Sequence, residues 1–150
     1  MMIILTSLGL VTFLNGTYIA TTVVGILVAV LGAFLFFNIN PAKVFMGDSG
    51  AFALGGILSA LIYLLNMRFG IVIPFIIIFG IFILELCSSG LQIVWKKVFK
   101  KKLFAMAPFH HLLEHRGIKE TTIVMKMWLI QGVLAVAAII LILVEYVLMK

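Results

Sequence analysis

Asp48 is the only aspartate in the chain, and it stands in Pro41-Ala-Lys-Val-Phe-Met-Gly-Asp-Ser-Gly50, just before an apolar run. A carboxylate flanked by glycines at a helix start can hold a divalent cation such as Mg²⁺ against a bound diphosphate. The plainer alternative is a cap, in which Asp48 or Ser49 accepts an orphan backbone N–H at the head of a helix from Ala51 onward. All the histidine is gathered into six residues: His110, His111 and His115 in Ala107-Pro-Phe-His-His-Leu-Leu-Glu-His-Arg116. His111 and His115 share a helix face, and His111-Leu-Leu-Glu114-His115 fits the H-x-x-E-H pattern of a zinc protease. That chemistry needs a third ligand, for which only Glu120 follows on the same side. The blander reading is an interfacial cluster that meets lipid phosphates, as polybasic membrane loops commonly do.

Glu85 lies within an apolar run, where an ionisable side chain costs at least about 2.5–3.5 kcal/mol unless it is paired or faces a polar cavity. It must therefore face protein or water, as a structural hydrogen-bonding group or as a group on the substrate side. Ser88, Ser89 and Gln92 follow it, and Gln92 is seven residues on, so one helix face carries the polarity onward. The lysines from Lys96 to Lys102 have the usual place of a juxtamembrane anchor.

The elements that must position these groups are membrane spans. The 150 residues are 65% hydrophobic and only 11% charged, with a mean hydropathy of +1.33, far from the roughly 25% charged mix of soluble domains. A soluble enzyme with one core is excluded, because it would lack a polar surface. The basic residues flank apolar runs, so the net charge of +6 does not point to nucleic acid. The single Cys87 can form no intrachain disulfide.

Apolar runs cover Met2 to Leu14, Tyr18 to Phe37, Ala51 to Leu65, Ile71 to Trp95 and Ile123 to Leu148, which predicts an all-α polytopic transmembrane bundle of about five segments in one membrane domain. The first run is too short to cross a hydrocarbon core of about 30 Å, and reads as the tail of a helix that begins further upstream. It lacks the basic region and cleavage site of a signal peptide. Nine of the eleven Lys and Arg lie in or just beyond the connections 38–50 and 96–122, which the positive-inside rule places in the cytoplasm. Arg68 and Lys150 then fall outside.

Taken together, Phe37-Asn38, Pro41-Ala42, Val44-Phe45-Met46-Gly47-Asp48, Ala53-Leu54-Gly55-Gly56, Glu85 with Gln92, and Met106-Ala107-Pro108-Phe109-His110-His111 resemble the phospho-N-acetylmuramoyl-pentapeptide transferase family of polyprenyl-phosphate phosphoglycosyl transferases. The similarity reaches Glu120 and the Met125-Lys-Met-Trp128 start of the last span. The resemblance implies transfer of phospho-N-acetylmuramoyl-pentapeptide from UDP to undecaprenyl phosphate with Mg²⁺, releasing UMP and forming lipid I for peptidoglycan at the bacterial inner membrane. By the same resemblance Asp48 is the metal ligand, and Phe45 and Gly47 line the uridine pocket. Asn38, Gln92, Ala107, His110 and His111 complete the donor site, with the histidines stabilising phosphate charge or carrying a proton.

Three departures qualify it. Leu112 stands where the family has a third consecutive histidine, and Gly50-Ala51-Phe52 stands where it commonly has Gly-Ser-Leu. The family's paired aspartates belong to an amino-terminal half that this sequence does not contain, so the chain is expected to be a carboxy-terminal half, inactive alone: either a fragment of a longer chain or one piece of a split enzyme with that half as a separate partner. The family suggests a homodimer. The competing class is a non-catalytic membrane module that binds polyprenyl phosphate or a partner.

Overall fold

The computed structural model describes residues 1–69 and 72–148, all of them in helices and connections. Seven helices follow in order: α1 (Met2–Leu14), α2 (Tyr18–Asn38), α3 (Asp48–Phe69), α4 (Val72–Ile78), α5 (Gly80–Phe99), α6 (Phe109–His115) and α7 (Glu120–Leu148). The architecture is all-α and polytopic. Helices α2, α3 and α7 are each long and apolar enough to cross a membrane, and α4 with α5 makes a fourth if the bent pair counts as one span. The fifth apolar run is α1, whose 13 residues extend about 20 Å at 1.5 Å per residue. The stretch between the apolar runs that end at Leu65 and begin at Ile71 is helical through Phe69, while Gly70 and Ile71 lie outside the described residues, as does Lys150.

Apolar side chains occur all round the long helices, yet α1, α3 and α7 each bury only one stripe, and α5 and α6 bury no residue. The core collects Ile4, Leu5, Leu8 and Val11 of α1 with Leu58, Leu61 and Leu65 of α3 and Ala135, Ala138 and Ile142 of α7, at the three-and-four spacing of a single helix face. The opposite faces stay apolar: Ile19, Val23, Ile26 and Val30 on α2, and Leu129, Val133, Val136 and Ile140 on α7, are exposed. A helix with an apolar outer face and internally satisfied backbone suits a hydrocarbon solvent.

The run from Ile71 to Trp95, read above as one straight segment, is instead broken at Phe79, where α4 and α5 meet at 75°. Two side-chain facts explain how the break is tolerated. The end of α4 leaves carbonyls without helical partners, and the buried Gln131 Nε2 of α7 donates to the Ile78 carbonyl at 2.7 Å. Gly80 also lets α7 approach, since a Cβ there would lie 2.9 Å from Leu134 Cδ1. The bend turns α5 out of line with α4.

Candidate active site

Helix α5 ends because Lys100 adopts a left-handed conformation, φ 52°, a common way to close a helix and reverse the chain. The reversal sends residues 101–110 back along α5, and three polar residues of that helix hold them. Gln92 Oε1 accepts the Leu103 N–H at 3.1 Å and the Phe104 N–H at 2.9 Å, while its Nε2 donates to the Phe104 carbonyl at 3.1 Å. One turn back, Ser88 Oγ accepts the Phe109 N–H at 3.2 Å. Glu85 then takes His110 with both oxygens: Oε1 accepts its backbone N–H at 3.2 Å, and Oε2 lies 2.9 Å from its Nδ1. The i, i+3, i+7 spacing of Glu85, Ser88 and Gln92 puts them on one helix face. Phe109 and His110 open α6, whose N-cap Pro108 makes no side-chain cap bond. The two orphan donors of that first turn, Phe109 and His110 N–H, are satisfied by α5 instead.

The cost of a carboxylate within an apolar run is thus met by pairing, and Glu85 is a structural partner of the histidine segment. His111 is arranged differently. Its Nδ1 lies 2.7 Å from Oε2 of Glu114, three residues on in the same short helix, and its ring is half exposed. The His110 and His111 rings stand 4.3 Å apart at 48°. Among the described residues no three His, Cys, Asp or Glu side chains gather as metal ligands, so the zinc-protease pattern His111-Leu-Leu-Glu114-His115 is not supported. A structural zinc or catalytic zinc needs at least three protein ligands, and here Glu114 pairs with a histidine of its own motif.

Asp48 is the first residue of α3. The turn closes on Gly47, whose carbonyl accepts the N–H groups of Gly50 and Ala51, each at 3.1 Å. The cap position therefore falls to Gly47, not to Asp48 or Ser49 as the cap reading expected, and an aspartate in the first turn is favoured by the helix dipole. The Asp48 side chain is exposed. A hard cation such as Mg²⁺ is often held by one or two carboxylates, with water and substrate phosphates as the other ligands. One exposed carboxylate fits that shared mode, and among the described residues no three His, Cys, Asp or Glu side chains gather around it.

The connection before Asp48 is fastened lightly. Asn38 Nδ2 donates to the Val44 carbonyl at 2.8 Å and the Lys43 N–H donates to the Phe37 carbonyl at 2.9 Å. Phe45 is 79% exposed, and a Cβ added at Gly47 would meet nothing within 4 Å. Ala107 is half-buried in the histidine connection. An apolar cavity of about 740 Å³ lies among the helices, bounded by Asn38 and Met46 at the Asp48 connection and by Leu54, Leu58, Phe82 and Trp128. Of the candidate residues, the structure joins Gln92 and His110 through the α5 face, while Asn38, Phe45, Gly47 and Asp48 belong to the other connection. The place of Ser88 on the polar face was readable from its spacing between Glu85 and Gln92, but its bond with Phe109 was not, and nothing in the sequence marks Gln131 as the partner of a helix break.

Residues 1–66 match glycosyl transferase family 4. The chain is 43% identical over 126 residues to the phospho-N-acetylmuramoyl-pentapeptide-transferase of Buchnera aphidicola subsp. Acyrthosiphon pisum (strain Tuc7), a match covering 84% of this chain and 34% of the relative. It is 46% identical over 101 residues to the proteins of that name from Neisseria meningitidis serogroup C / serotype 2a (strain FAM18) and Neisseria gonorrhoeae (strain FA 1090), covering 67% of this chain and 27% of theirs. The chain therefore belongs to the phospho-N-acetylmuramoyl-pentapeptide-transferase family, and it spans about a third of the length of these curated relatives.

Proposed function

We propose that this chain carries part of the phosphate-handling site of a phospho-N-acetylmuramoyl-pentapeptide transferase. Completed by groups from a separate amino-terminal part, it passes phospho-N-acetylmuramoyl-pentapeptide from UDP to undecaprenyl phosphate, giving lipid I and UMP at the cytoplasmic face of the bacterial inner membrane. The observation that carries this reading is the 43% identity over 126 residues to a relative of that name, and the fastening of the histidine segment to α5 supports it.

Asp48 would hold Mg²⁺, which when bound neutralises diphosphate charge as the P–O bond to UMP breaks. The exposed Phe45 ring is available to stack on uracil, and the open space beside Gly47 leaves room for the nucleotide to approach. Asn38 and Ala107 flank the donor. Gln92 acts on it through the segment it holds. His110 and His111 meet phosphate charge or move a proton. The lysines after Trp95 suit the lipid phosphate at an inner leaflet, and the apolar cavity beside Asn38 and Met46 has the chemistry an isoprenoid tail requires. In the membrane the protein works as a homodimer.

The test is a turnover assay with UDP-MurNAc-pentapeptide, Mg²⁺ and undecaprenyl phosphate in detergent. The purified chain alone is expected to release no UMP above background, because phosphoryl transfer needs several groups around one metal-bound diphosphate and this chain has a single aspartate. Co-expression with the amino-terminal part of the Buchnera relative should give UMP and a lipid-linked product. Robust turnover by the chain alone overturns the shared-site reading, and a folded, assembled pair that forms no lipid-linked product overturns the transferase reading.

A further inference from the structure

We propose that Glu85 is a positioning residue that keeps the proton of His110 on Nδ1, so that Nε2 is the nitrogen left with a free lone pair. The neutral imidazole has one donor and one acceptor nitrogen, and the partner of one decides the role of the other. A carboxylate can only accept. With Glu85 Oε2 at 2.9 Å from Nδ1, the proton of the pair sits on Nδ1. The second oxygen removes the remaining freedom, since Oε1 holds the backbone N–H of the same residue at 3.2 Å. Side chain and main chain of His110 are thus gripped by one group from 25 residues away. Ser88 and Gln92 hold the preceding residues to the same helix face, so the grip does not depend on the histidine alone.

The imidazole is not sealed away, because the His110 side chain is 38% exposed while that of Glu85 is 20% exposed. A carboxylate that orients a histidine and stabilises its imidazolium is the arrangement by which a neutral imidazole becomes an effective proton acceptor. The chemical role of Nε2 rests on the transferase reading above; the tautomer does not. In that reading Nε2 takes the proton of an incoming phosphate monoester: the phosphate O–H bond breaks, the Nε2–H bond forms, and the resulting phosphate dianion attacks the diphosphate. The proton is returned to the phosphate of the departing UMP, so protons and charge balance over one cycle. His111 cannot substitute for this role in the same way, because its carboxylate partner Glu114 belongs to the same exposed turn and fixes nothing in the tertiary structure.

Imidazole ¹⁵N spectroscopy of the full chain in detergent micelles tests the tautomer directly. The three histidines are labelled, and His110→Gln identifies the His110 signals. At a pH where the ring is neutral, His110 should show a protonated Nδ1 and an unprotonated Nε2. Glu85→Gln should lose that state in favour of a mixture containing protonated Nε2, whereas Ser88→Ala, which leaves Glu85 in place, should keep it. A wild-type His110 protonated on Nε2 overturns the proposal without any variant, which covers the case in which a Glu85 variant does not fold. An unchanged Nδ1 signal in folded Glu85→Gln overturns it equally. If the tautomer is as expected but the completed enzyme forms no lipid-linked product, the transferase reading fails and the positioning role stands.

Discussion

The two polar connections of this molecule are built on opposite plans. Residues 100–110 run back along α5 and are held by Gln92, Ser88 and Glu85, so the histidine end is ordered by the chain's own helices. Residues 40–46 are held by one side-chain bond from Asn38 and one backbone bond to Phe37, and Phe45 and the following Asp48 are exposed. The first is a preorganised surface. The second offers an aromatic ring and a carboxylate to whatever arrives. Where electrostatic groups act on a developing charge, preorganisation removes the cost of arranging them during reaction, so under the proposed function the two ends would contribute in different ways.

The largest effect should come from the loosely held side, and through charge alone. Asp48→Asn keeps the shape of an exposed residue in the first turn of α3, and a helix start accepts Asn. Folding of the chain, read by circular dichroism, should not change. Activity of the completed enzyme should fall by about 100- to 1,000-fold or more, the range seen when one preorganised group that stabilises reacting charge is lost. Full activity of the Asn variant would show that the carboxylate is not a metal ligand.

Gln92→Leu should produce the next effect, and on the ordered side it should be structural first. The substitution removes three hydrogen bonds and leaves the Leu103 and Phe104 N–H groups without their partner. An unsatisfied, partly buried donor costs about 1–3 kcal/mol, so exchange of these two amides should quicken by about 5- to 150-fold in hydrogen-exchange measurements, with the 39–47 amides unaffected. Equal loosening of both connections would break the contrast drawn between them.

How far the sequence foretells this arrangement follows from range. The helices are legible because apolar runs, glycines and basic flanks are local signals, and the polar stripe of Glu85, Ser88 and Gln92 is visible from spacing on one helix. That Glu85 must be paired follows from the cost of an isolated carboxylate in an apolar run. Its partner does not follow, because the pairing depends on the reversal at Lys100. The break at Phe79 is hidden for a similar reason: Ile71 to Trp95 has the composition of one span, and the group that tolerates the break, Gln131, lies 53 residues from the carbonyl it meets. The glycine-flanked Asp48 is recognisable as a helix start, yet whether Gly47 or Asp48 takes the cap position is a matter of one residue, where helix ends vary.

Asn38→Ala should give the smallest effect and so measure how little holds the Asp48 side. The residue ends α2 and contributes one donor, Nδ2, to the Val44 carbonyl. That carbonyl lies in an exposed stretch, so water can take the place of the lost donor, and the net cost should be that of one ordinary hydrogen bond, about 0.5–1.5 kcal/mol. Amide exchange across residues 39–47 should accelerate by about 2- to 13-fold, with the Leu103 and Phe104 amides unchanged. Asn38→Asp sharpens the point, since it keeps the size and removes only the donor, and should loosen the connection at least as much as Ala does. If Asn38→Ala instead loosens its connection as strongly as Gln92→Leu loosens the other, one side-chain bond is enough to order 39–47, and Asp48 is presented on a preorganised surface just as His110 is.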